Sequence, residues 1–137
     1  QNQQSKNKMG KIERFEDIKA WQETRNLVKA IYNRTNNNSK FNQDFALKDQ
    51  LRRASISIMS NIAEGFARRT DKDFARFLYI ALGSVSEVQS QVYVALDSGY
   101  ITKTEFNECY RNTSETAKLI VGFLKYLTAD RRLGTED

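Results

Sequence analysis

Seven apolar residues, Phe74, Leu78, Ala81, Val85, Val88, Val92 and Ala95, follow one another in alternating steps of four and three. That is the heptad spacing of a helix whose seam packs into a bundle. The chain has no proline and only six glycines, so nothing forbids long helices on either side. Thr70 suits the N-cap of this third helix, and Asp71 and Asp73 suit the positive end of its dipole. Asp97-Ser98-Gly99-Tyr100 ends it with a C′ glycine.

The other helices follow from the same periodicity. A first helix is expected over Asp17–Asn33, with a stripe of Ile18, Trp21, Val28 and Tyr32 widened by Leu27 and Ile31. Arg25 falls inside that stripe, as a snorkelling side chain or as half of a buried ion pair. Thr35–Ser39 reads as a loop, because its side chains compete for backbone hydrogen bonds. A second helix is expected from Asn42 to Gly65, with Leu47, Leu51, Ala54, Ile58 and Ile62 facing the core. Gly65 fits a C-terminus that wants a positive φ. Thr102 with Glu105 has capping-box spacing and opens a fourth helix, carrying Phe106, Cys109, Thr113, Ala117, Ile120, Leu124 and Leu127. The expected organisation is a disordered basic tail over 1–14, an all-α antiparallel up-and-down four-helix bundle over 15–130 and a C-terminal tail over 131–137.

The two middle helices are apolar on more than one side. Phe45, Ile56 and Ala63 lie roughly opposite the core stripe of the second helix, and Tyr79, Ile80, Gly83 and Val94 lie behind the third. Between Phe77 and Leu96 the only charge is Glu87. A helix of this kind needs a second cover. A homo-oligomer is therefore expected, with Ile56, Met59, Tyr79, Ile80, Gly83 and Val94 at the subunit contact.

Composition narrows the chemistry. The net charge is +5, but Lys6, Lys8, Lys11 and Arg14 against Glu13 place +3 of it in the first 14 residues. Bulk charge therefore says little about nucleic acid, and local clusters must carry that inference. With no histidine, His-based triads and the usual zinc and haem ligand sets are excluded. The single cysteine, Cys109, excludes an internal disulfide and reads as a small core residue. No leader-like segment or membrane-length apolar run is visible, so a cytoplasmic protein without membrane contact is expected.

Three groups of residues deserve weighing. Arg52, Arg53, Arg68, Arg69, Lys72 and Arg76 form a basic set around the junction of the second and third helices. Arginine forks suit phosphate oxygens, although Glu64, Asp71 and Asp73 partly neutralise the set. A polar row, Arg53, Ser57, Asn61 and Glu64, runs between two apolar faces. Such rows more often fix helix register than catalyse, and no nucleophile–base pair accompanies this one. Asp44, Asp49, Asp71 and Asp73 read as helix-start aspartates rather than metal ligands, and Glu87 with Gln91 lacks the second half of a di-iron motif. No metal, cofactor or small-molecule substrate is expected.

With these residues in view, the chain resembles the four-helix-bundle family that includes the 23S rRNA intervening sequence proteins. The resemblance covers Phe15–Leu127. It rests on Phe15-Glu16-Asp17-Ile18 with Trp21-Gln22, on Gln50-Leu51-Arg52-Arg53-Ala54, and on Ser60-Asn61-Ile62-Ala63-Glu64-Gly65-Phe66. Phe77-Leu78-Tyr79-Ile80-Ala81-Leu82-Gly83-Ser84 and Glu87 complete it, with Asn61, Glu64, Gly65 and Glu87 as structural landmarks. Met59 departs from the proline of the family pattern and removes an expected kink. The resemblance implies a small cytoplasmic bacterial protein and a homopentamer with a central channel. The chain is also distantly similar to the accessory variability protein of diversity-generating retroelements, a pentamer whose basic surface engages reverse transcriptase and nucleic acid. Neither relation implies an enzyme. Three functions follow as expectations: an RNA-associated scaffold, an adaptor for a protein such as a nucleic-acid polymerase, and, least supported, an enzyme acting through Glu64.

Overall fold

The computed structural model describes residues 12–134, with side chains described through residue 129. A 3-10 turn, Phe15–Asp17, leads into α1, Lys19–Asn37. Then come a short α2, Ser39–Gln43, and the long α3, Phe45–Phe66, α4, Asp71–Asp97, and α5, Lys103–Gly134. α1 packs on α3 and α5, and α4 packs on the same two helices. Ser57 meets Ser84 while Gly65 meets Phe74 and Phe77, so α3 and α4 run antiparallel. Gln89 meets Thr113 and Phe74 meets Phe123, so α4 and α5 do too. The long helices therefore form the expected up-and-down bundle.

The seam of α4 is buried along its whole length: each of its seven residues is at most 2% exposed. Leu47, Leu51, Ala54, Ile58 and Ile62 of α3 face it, all buried. Each of the larger aliphatic or aromatic side chains here contributes about 1.5–3 kcal/mol. The starts of α4 and α5 are capped as their residues dictate. Thr70 Oγ1 accepts from Asp73 N at 3.1 Å. Thr102 and Glu105 close a reciprocal box, Glu105 N to Thr102 Oγ1 at 3.1 Å and Thr102 N to Glu105 Oε1 at 2.9 Å. α4 ends with Gly99 at φ 77°, where Tyr100 N reaches Ala95 O and Gly99 N reaches Leu96 O. That pair of bonds is a Schellman closure.

Several expectations are corrected. The segment Thr35–Asn37 is not a loop but the last turn of α1. Its side chains bond within the helix: Thr35 Oγ1 donates to Tyr32 O at 3.1 Å and Asn37 Nδ2 to Asn33 Oδ1 at 3.0 Å. The core stripe of α1 is also turned from the expected one, with Ala20, Thr24, Leu27, Ile31 and Thr35 buried and Trp21, Val28 and Tyr32 at its edges. The buried hydroxyl of Thr24 is accommodated by donating to Ala20 O at 2.8 Å. Arg25 is exposed.

The second expected helix divides at Asp44, which caps α3 by accepting from Leu47 N at 3.1 Å. Past that cap, α3 runs unbroken through Met59. Gly65 lies inside α3 and not at a positive-φ terminus. A Cβ there would sit 2.8 Å from Phe77 Cβ and 2.9 Å from Phe74 Cδ1, so its role is close helix approach. The domain starts earlier than position 15, because Ile12 is buried in the core cluster. The last helix continues to Gly134, into the stretch expected as the C-terminal tail. The tails over 1–11 and 135–137 lie outside the described residues.

Candidate nucleic-acid interface

The six-residue basic set divides in two. Arg52 and Arg68 are 16 positions apart, and α3 is continuous as far as Phe66. At 1.5 Å per residue the separation is roughly 24 Å. Arg52 turns back onto α1. Its Nε and Nη2 donate to Thr35 Oγ1 at 3.1 and 2.7 Å, Nη2 also donates to Asn36 Oδ1 at 2.9 Å, and the guanidinium lies 4.1 Å from the Tyr32 ring centre. Arg52 thus ties α1 to α3. Arg53 is exposed and lines a groove between α3 and α4 with Gln50, Ser57, Glu87 and Gln91.

The remaining four gather where α3 hands over to α4. Phe77 is nearly buried, and the guanidinium carbons of Arg68 and Arg76 both lie 4.7 Å from its ring centre. Such stacking holds flat cations in place while leaving polar edges outward. Arg68 Nη2 pairs with Glu64 Oε2 at 2.8 Å, and Arg76 Nε lies 4.0 Å from Asp73 Oδ1. Arg69 and Lys72 are exposed and form no ion pair among the described residues. The first turn of α4 adds backbone donors beside them.

The polar row divides among different partners. Ser57 Oγ and Ser84 Oγ are 2.9 Å apart, and Asn61 Nδ2 donates to Ser57 O at 2.8 Å and to Ser57 Oγ at 3.1 Å. The serine pair links α3 to α4, while the Asn61 bonds lie within α3. Glu64 is exposed, tied to Arg68 and outside the Arg53 groove. Asp44 is spent on its cap and on accepting from Tyr100 Oη at 2.8 Å. Among the described residues, no three Cys, Asp or Glu side chains gather as metal ligands. No described helix is long and apolar enough to cross a membrane.

The apolar faces behind α3 and α4 lie open on the single chain. Tyr79 is 61%, Val94 50%, Ile80 44% and Ile56 38% exposed, and Met59 is half-buried. Gly83 has nothing within 4 Å of where a Cβ would stand, so its own chain does not require glycine there. Glu87 is exposed on the same side. Sequence reasoning missed Phe77 as the ring that organises two arginines, because spacing along a helix does not show which side chains stack on a given ring. It also missed Thr35 as the acceptor for Arg52, because Thr-Asn-Asn composition signals a loop.

Fold and surface together define a helical bundle with a cationic end and an uncovered apolar flank. The family described as 23S rRNA-intervening sequence protein matches residues 16–122, and the chain belongs to that family. Among solved structures, the chain is similar to a protein of unknown function from the S23 ribosomal protein family of Bacteroides thetaiotaomicron. The two share 24% identity and a TM-score of 0.70, over 77% of this chain and 98% of the other, a likeness of fold. No curated protein matches the chain.

Proposed function

We propose that the protein is a non-enzymatic, cytoplasmic scaffold that self-associates and holds structured RNA along a basic rim. The observation that carries this reading is the end of the bundle at α4. Arg69 and Lys72 stand there exposed and without an ion pair among the described residues, beside two arginines propped on Phe77. Such a set contacts phosphates without reading bases, and its binding weakens steeply with salt. The family's link to ribosomal RNA genes, implied by the resemblance, makes ribosomal RNA the first substrate to test.

The rim requires repetition to be effective, and the open flank supports it. At 100° per residue, Arg76, Ile80, Gly83, Glu87 and Val94 share one side of α4. Copies covering this side would therefore bring their basic ends together, in our reading as a homopentamer. The decisive experiment measures RNA affinity against salt for the parent and for Arg69→Glu/Lys72→Glu/Arg76→Glu. The variant is expected to bind at least about tenfold more weakly and with a shallower salt slope. Equal affinity, with assembly intact, would remove the rim from the proposal.

The second reading is an adaptor that binds protein through exposed apolar side chains. Phe45, 67% exposed, favours it, because it sits a full helix length from the basic end. That reading predicts a partner retained after nuclease treatment.

A further inference from the structure

We propose that the cavity between α1, α4 and α5 is a binding site for a small uncharged apolar molecule of about two fused rings. Its volume is about 240 Å³. A cavity of roughly 150 Å³ lined by aliphatic and aromatic side chains stays dry and takes up benzene. The space here therefore admits a naphthalene- or indole-sized body. Ile31, Phe41, Leu51 and Val92 form its inner wall. The volume exists because small residues face one another across it, Ala30 on α1, Ala95 on α4 and Cys109 on α5.

The opening selects against charge. Arg34 reaches across it from α1 to α5, donating from Nη2 to Glu108 Oε1 at 3.0 Å with Nη1 3.7 Å from Glu105 Oε2. Its charge is already matched by two carboxylates, and Arg111, also on the rim, stays in water. An ion entering the cavity would lose its hydration beside an Arg34 charge that is already paired, which disfavours it. The surroundings of Cys109 agree: burial pushes its thiol up to about 11 from an ordinary 9.0, even with the Arg34 charge pulling the other way. Ile31, Phe41, Leu51 and Val92 make the inner wall apolar, while Asn112, also on the lining, has a buried Oδ1 with no hydrogen-bond partner among the described residues, so a ligand carrying one neutral donor suits the site. This inference does not depend on the RNA reading, since the cavity lies away from the α3–α4 junction.

Cys109 makes the site measurable on the whole, unmodified chain. Alkylation of the thiol by a small reagent is followed by mass, with and without indole or 1-naphthol. Either probe at saturation is expected to slow labelling about tenfold or more, and to raise the melting temperature through binding to the folded state. Ala30→Leu should fill the space, make the labelling rate independent of the probe and weaken probe binding at least about tenfold. If Ala30→Leu does not fold, the parent still decides. Absence of protection by both probes up to their solubility overturns the proposal, as does equal binding to a folded Ala30→Leu. Tighter binding of 1-naphthoate than of 1-naphthol would overturn the assignment of an uncharged ligand.

Discussion

A methyl group added at Gly65 would collide with Phe77 Cβ at 2.8 Å, and the Phe77 Cβ is anchored to a helix backbone that cannot swing aside. Alanine would otherwise favour the helix by up to about 1 kcal/mol. The clash outweighs that gain, so Gly65→Ala should destabilise the fold by about 1–3 kcal/mol in urea titration. The sequence offered a glycine near a helix end, and terminal glycines usually mean positive φ; only the neighbouring helix reveals the other cause. Arg52 teaches the same lesson. Adjacent to Arg53 and basic, it reads as part of the phosphate surface, yet its partners Thr35 and Asn36 come from another helix. Arg52→Ala is expected to cost about 1–3 kcal/mol of stability while RNA affinity, measured on the folded variant, stays within about twofold. A large affinity loss with stability intact would return Arg52 to the interface.

At the scale of elements, amphipathic spacing was the most legible signal. All seven seam residues of α4 and all five core residues of α3 are buried as the periods dictate, because a long helix fixes the angle of every side chain on it. α1 was less legible: its core face includes Thr24 and Thr35, whose hydroxyls bond back to the helix and so tolerate burial that hydropathy does not anticipate. The open side of α4 was legible as a surplus of apolar residues, and the single chain leaves them exposed. Gly83 lies in the middle of that side with free space around it. Gly83→Leu should therefore leave the helix content and melting cooperativity of the single chain intact while lowering the mass found by sedimentation. An unchanged assembly would exclude α4 from the subunit contact.

For the whole molecule, one basic set on paper became two places roughly 24 Å apart, since a continuous helix converts sequence distance into length. The bundle's two ends are consequently different in kind. The end carrying Arg68 to Arg76 is closed by aromatic packing, Phe66 and Phe74 with ring centres 6.0 Å apart. The opposite end is fastened by a proton: Tyr100 Oη donates to Asp44 Oδ2, and the Tyr100 ring stacks on Phe41 at 5.0 Å. That bond and the nearby carboxylate raise the phenol above its usual value. Burial likewise raises Cys109 from 9.0 to about 11. Both groups ionise more readily in the unfolded chain, so stability should fall as pH climbs from about 9 through 11. Tyr100→Phe should flatten part of that fall in chemical denaturation across the same range. Removing the tyrosine's proton sets a phenolate against a carboxylate, so alkali unfastens the short α2 clasp first and leaves the arginine-bearing end closed.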